Sequence, residues 1–132
     1  MSLVVRQAVL ADIAALGRLN AEIQALHVSA RPDVFVAVSA SALADWLRTV
    51  LGRPECRAWL AELDGIPVGY LLAMIHDRPA TPFSTPRRWC EIDQLGVAEE
   101  MRGRGVARAL VEASVSWARE RGAGSITAQC WA

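Results

Sequence analysis

The spacing of apolar residues changes several times along the chain, and each change marks an element. Residues 3–8 alternate and read as an opening strand. Asp12 then suits a helix start, where the dipole favours a carboxylate. Ile13, Leu16, Leu19, Ile23 and Leu26 follow at spacings of three and four, which predicts a helix with one buried stripe. Pro32 interrupts that pattern within residues 27–39. A second helix is expected over residues 41–51, with Leu43, Trp46, Leu47 and Val50 on its apolar side.

Residues 56–63 suit a strand, Asp64-Gly65 is a hairpin turn signal, and residues 67–75 supply the returning strand. Residues 77–88 hold Pro79, Pro82 and Pro86, whose fixed φ and missing donors predict an exposed loop. The next strand spans residues 89–97. Val106, Leu110, Ala113 and Trp117 then mark a helix closed by Gly122 or Gly124, and residues 125–131 form a final strand. The order β-α-α-β-β-β-α-β places the chain in the α/β class, with a mixed sheet flanked by helices.

A length of 132 residues accommodates one domain, residues 1–132, and one core, so any site is built on that core. The apolar 53% is spread out, with no run long enough to span a membrane. The first ten residues lack the features of a signal peptide, so a cytoplasmic location is the expectation. Arg supplies all 14 basic residues and balances 14 acidic ones, which argues against a nucleic-acid partner. Cys56, Cys90 and Cys130 fit neither a disulfide framework nor a metal pattern and read as buried thiols; no metal is expected. Trp46, Trp59, Trp89, Trp117 and Trp131 read as core.

The chemistry gathers between the strand ending at Val97 and the helix that follows, in Arg102-Gly103-Arg104-Gly105-Val106-Ala107. A helix's first turn has unpaired N–H groups and the positive end of the dipole, and so attracts phosphate. Gly103 and Gly105 let the backbone approach such a group, and Arg102 and Arg104 add charge. The pattern is short, and its weight comes from the strand before it and the amphipathic helix after it.

With that context the chain resembles the GNAT superfamily of N-acetyltransferases, whose central motif is a strand, an Arg/Gln-x-x-Gly-x-Gly/Ala loop and a helix. Arg102, Gly105 and Ala107 match its defining positions. The resemblance runs over the whole chain, including the Asp64-Gly65 hairpin and the Arg31-Pro32-Asp33-Val34-Phe35 segment. It implies a central, mostly antiparallel twisted sheet and acetyl-CoA as the acyl donor. The loop amides would hold the pyrophosphate, and the backbone of Leu95, Gly96 and Val97 the pantetheine arm. The implied reaction is transfer of an acetyl group to a primary amine of a small molecule or peptide. The Val97 N–H is the implied donor to the thioester oxygen as negative charge develops there.

An amine of pKa about 10.4 is mostly protonated at neutral pH, so direct attack requires a base. Glu91 and Asp93, two apart on the strand before the loop, point to one face by the strand period and supply that base directly or through water. Glu91 stands where histone-type members carry a general base, and Asp93 where some polyamine-type members carry an acidic residue. The plainer reading pairs them with Arg87 or Arg88 on a solvated face. His27 and His76 are further candidate bases, imidazole being the side chain whose ordinary range lies near neutral pH, but neither belongs to a recognisable constellation, so both read as structural. Phe35 and Phe83, on proline-bearing loops, are placed by location at the border of the acceptor pocket.

Family members continue after the final strand through an Asn, a helix bearing a Tyr that protonates the leaving thiolate, and two more strands. The present sequence ends at Ala132. The expectations that follow are a truncated chain, a second copy completing the sheet as a homo-oligomer, or water as the acid. The alternative function is then a non-catalytic acyl-CoA-binding module or an inactive member.

Overall fold

The computed structural model describes residues 2–128. Cys130, Trp131 and the end of the expected last strand lie outside them. The element order is β1 (Leu3–Gln7), α1 (Ile13–Ala30), α2 (Ala40–Leu51), β2 (Cys56–Leu63), β3 (Ile66–Arg78), β4 (Arg87–Val97), α3 (Val106–Glu120) and β5 (Ile126–Ala128). Short 3-10 turns at Leu10–Asp12 and Glu99–Met101 lead into α1 and toward α3. The five strands form one sheet in sequence order. Its first three pairings are antiparallel and β4 pairs β5 in parallel, the mixed sheet that the element order predicts, mostly antiparallel as the resemblance implies.

Each face of the sheet carries its own core. On one face Leu16 and Leu19 of α1 and Leu43, Leu47 and Val50 of α2 pack on Cys56, Ala58, Leu60, Tyr70 and Leu72. On the other, Val106, Leu110, Trp117 and Ala118 of α3 pack on Trp59, Ala61, Leu71, Ala73 and Cys90. Alternate residues of β2 and β3 serve opposite faces, which is why these strands read as near-continuous apolar runs. Met101 is packed against both clusters and anchors the turn that leads to α3.

Several expectations are corrected in detail. The proline-rich loop is shorter than residues 77–88, because Asp77 and Arg78 continue β3 and pair with Arg88 and Arg87 of β4. None of the three prolines falls inside that added ladder, so no donor is lost there. Trp46 is exposed on α2, and Trp89 is only half buried, while Trp59 and Trp117 meet edge to face in the α3 core at 5.5 Å. Phe83 stands 98% exposed at the tip of the loop. Cys56 and Cys90 are buried free thiols, and burial pushes both upward in pKa.

Asp12 begins α1 without capping it through its side chain. Its carboxylate instead takes two bonds of 2.8 Å from the Arg6 guanidinium and one of 2.8 Å from the Val9 amide. Arg6 also reaches Glu62 on β2, so the cluster ties β1, the first turn and β2 together. The Arg6 hydrogen bonds hold the Asp12 carboxyl below its ordinary range, against a smaller opposing effect of burial. A depressed folded-state pKa gives stability that is present above the unfolded value of about 3.9 and is lost as pH falls toward the folded one. Asp12→Asn is therefore expected to lower the thermal midpoint at pH 7, with the gap to wild type closing below about pH 4. A gap independent of pH contradicts this role for the ion pair.

Candidate functional site

The loop after β4 is built to leave backbone exposed. Ala98 bonds back to Val68 at 2.8 Å and Met101 to Ala98 at 2.9 Å, which fixes the turn. Gly103 and Gly105 then adopt φ of 77° and 82°, the left-handed region that a side chain disfavours. A Cβ built at either glycine meets nothing within 4 Å, so the space above the backbone is open. Gly105 is the N-cap of α3 and no side chain caps that helix, leaving the first-turn donors for an external acceptor. Arg102 and Arg104 are exposed and form none of the ion pairs among the described residues.

Six of the predicted residues, Val97, Arg102, Gly103, Gly105, Val106 and Ala107, line one concavity of about 270 Å³. Leu95, Gly96 and Arg104 do not. The ladder gives Leu95 and Val97 a different relation to the site from Gly96. Ala98 donates to Val68, so its pair is of the hydrogen-bonded type, and Gly96 opposite Tyr70 shares that type by alternation. The amides of Leu95 and Val97 therefore point away from β3, toward the side on which β5 pairs with Cys90 to Ile92. Gly96, whose backbone turns to β3, has a packing role: a Cβ there would lie 2.7 Å from the Tyr70 ring and 2.9 Å from Ile23 of α1.

A larger concavity of about 530 Å³ opens beside the far end of the β3–β4 ladder, bordered by Arg78, Arg87 and Arg88. It is a wide surface depression in which Arg88 is already paired with Asp77 at 2.7 Å. Size alone does not make it the reactive centre.

The acidic pair sits on an irregular stretch of β4. Leu72 is opposite Gln94 and Ala73 is opposite Ile92, so Asp93 is an extra residue, a β-bulge. Glu91 lies opposite Met74, which packs on the α1–α2 core. Asp93 acts electrostatically on Cys56 and Tyr70 of that same core. Both carboxylates thus belong to the α1–α2 side. The added residue then shifts the alternation, so that Val97 packs with the α3 core. One extra residue separates the faces used by the carboxylates and by Val97.

Burial pushes the Asp93 carboxyl above its ordinary range, the Glu91 charge adds to this, and His76 opposes it. Neither carboxylate pairs with Arg87 or Arg88. Arg88 is held by Asp77, and Arg87 lies 4.5 Å over the Trp89 ring. The partner of Glu91 is His76, with Nε2 3.6 Å from Oε1. His27, in contrast, packs on Phe35 at 4.7 Å between ring centroids.

Next to the bulge lies a polar network that no sequence pattern revealed. Asn20 of α1 donates to Tyr70 at 3.1 Å and to Gln94 at 2.9 Å, and the Tyr70 hydroxyl donates to Gln94 at 2.9 Å. These bonds join α1, β3 and the residue after the bulge, fixing its register. Desolvation pushes the Tyr70 hydroxyl up to about 12, so it remains a neutral donor.

Among the described residues no helix is long and apolar enough to cross a membrane, and no group of His, Cys, Asp and Glu is arranged to hold a metal. Residues 20–132 match the model of the Acetyltransferase (GNAT) family. No curated protein matches the sequence. Solved structures do match in fold. The tetramutant of the BH1408 protein from Bacillus halodurans superposes with a TM-score of 0.89 at 21% identity, over 97% of this chain and 83% of that one. An acetyltransferase from Vibrio fischeri gives 0.78 at 24% identity, over 97% and 96%. The aminoglycoside N-acetyltransferase AAC(6')-Iy, in complex with CoA, gives 0.77 at 20% identity, over 98% and 78%. At such identities the structures speak for the fold, while the family match covers most of the sequence. The chain belongs to the acetyltransferase (GNAT) family.

Proposed function

We propose that this chain is an N-acetyltransferase that moves an acetyl group from acetyl-CoA to a primary amine by direct attack. The observation that carries the proposal is the pair of left-handed glycines, Gly103 and Gly105, opening onto the uncapped start of α3. Fixed amides, a helix dipole and two free guanidinium groups suit a pyrophosphate. When bound, acetyl-CoA supplies the acetyl group as a thioester. Leu95 and Val97 direct their amides away from β3, where they hold the pantetheine arm, and the Val97 N–H donates to the thioester oxygen. Glu91 and Asp93 take the proton of the incoming amine. Asp93, with its carboxyl held above the ordinary range, is the stronger base of an otherwise acidic type.

The cofactor assignment is tested by Gly105→Glu, with Gly65→Glu as its control. Gly65 has φ of 81° and equally open space, so a side chain there incurs the same backbone strain outside the residues that line the concavity. In calorimetric titration Gly105→Glu is expected to weaken acetyl-CoA binding about tenfold or more, by placing a carboxylate in the cradle, and Gly65→Glu to leave it unchanged. Equal affinities in the two variants would remove the pyrophosphate from this loop.

The acid–base assignment is tested by Asp93→Asn. A carboxyl whose folded pKa is raised destabilises the fold increasingly as pH rises through the ordinary carboxylate range. Asp93→Asn is expected to raise the thermal midpoint at pH 7, with no gain below about pH 4, while slowing release of free CoA in the presence of amines. Glu91→Gln is expected to slow release as well, by about a hundredfold, within the usual contribution of a positioned base. Unchanged release in both variants would contradict a base at these positions, and binding of acetyl-CoA without any turnover would favour a non-catalytic binding module.

A further inference from the structure

His76 and Glu91 lie 15 residues apart on neighbouring strands, and the β3–β4 register brings them together on the α1–α2 face. His76 Nε2 is 3.6 Å from Glu91 Oε1, just beyond hydrogen-bond length. The imidazole ring is partly exposed, yet Nε2 itself is sealed from solvent and has no hydrogen-bond partner. A buried imidazole nitrogen without a partner is costly unless its arrangement serves another state of the site. Its ring is held by stacking on Trp89, centroids 5.1 Å apart and planes 21° apart. Stacking leaves rotation of the Glu91 side chain as the motion that closes the contact.

We propose that His76 is the proton-accepting partner of Glu91 during acetyl transfer, a positioning residue that acts through the carboxylate. This rests on the acetyltransferase reading above. The ammonium acceptor gives one proton to Glu91, which passes it to His76 Nε2 and is restored as a carboxylate. The amine lone pair forms the C–N bond, and the C–S bonding electrons leave with sulfur. A second proton lost from nitrogen as the amide forms ends on the thiolate, and His76 afterwards returns the first through Glu91, whose side chain is partly exposed, to solvent. The sum is amide, free thiol and one proton from ammonium and thioester.

The charges around the imidazole suit this cycle. Glu91 on β4 lies 3.6 Å from Nε2, and the Asp93 carboxyl responds to His76. Arg87 is on the Trp89 ring, and Asp77, next in sequence, is occupied by Arg88. On β2, Cys56 lies opposite Met74, two residues before His76, and is a buried thiol with Glu55 and Arg53 acting on it.

The experiment measures free-thiol release from acetyl-CoA with a diamine, an aminoglycoside and a peptide with a free N-terminus. Wild type, His76→Gln, Glu91→Gln and the double variant are compared, with acetyl-CoA affinity of each as a check on folding. His76→Gln is expected to lower kcat at least tenfold at pH 7 without changing acetyl-CoA affinity, and to move the acidic limb of kcat/KM to lower pH. In the Glu91→Gln background the same substitution is expected to change kcat less than twofold. Equal losses in both backgrounds, or an unmoved acidic limb, overturn the relay while leaving the acetyltransferase reading intact. Failure of wild type to release thiol with any of the amines overturns both.

Discussion

The single extra residue at Asp93 is the constraint on which the rest of the site depends. Without it, strict alternation would carry the face of Glu91 unchanged to the end of β4. With it, Glu91 and Asp93 remain against the α1–α2 side while Val97 packs with the α3 core. A bulge also disturbs the ladder and bends the strand, and needs neighbours that fix it. Here Asn20, Tyr70 and Gln94 provide them through three hydrogen bonds that join α1, β3 and β4. The network has no titrating member near neutral pH, since the Tyr70 hydroxyl is pushed well above that range.

The two cores give the site its halves. The α3 core holds the helix whose N-terminus faces the loop, with Val106 and Leu110 pressed onto β3 over Gly69, where a Cβ would lie 2.9 Å from Val106. The α1–α2 core holds the acidic groups partly out of water, and that desolvation sets Asp93 apart from an ordinary surface carboxylate. Loop and carboxylates therefore meet at β4, each oriented by a different helix layer. Met101, packed against both clusters, links the two.

Features set by neighbours in sequence were legible from the chain alone. Asp64 and Gly65 both take positive φ, 51° and 81°, as the hairpin signal requires. The glycines of the loop after β4, flanked by a strand and an amphipathic helix, read correctly as a turn into a helix. Features set by distant partners were not legible. Period two ran through Asp93 because a bulge leaves no mark in the pattern of apolar residues. His76 read as an isolated histidine because its partner lies on the next strand, and Asp12, read correctly at a helix start, gave no sign of its bond to Arg6 because Arg6 and Glu62 come together only when β1 and β2 pair. Trp46 read as core because helical spacing identifies a stripe but not its edge, where this ring is exposed. The acceptor pocket had no readable code, and Phe83, one residue proposed to border it, stands in solvent.

Amide-resolved NMR of the labelled chain titrated with CoA tests the central claim most directly, because the claim concerns backbone donors. The expected result is that the largest shifts fall on Gly103, Gly105, Val106 and Ala107, with a second group at Leu95 and Val97 and a smaller response at Gly96. Largest shifts on residues 79–86, with the Gly103 to Ala107 amides unmoved, would contradict the account.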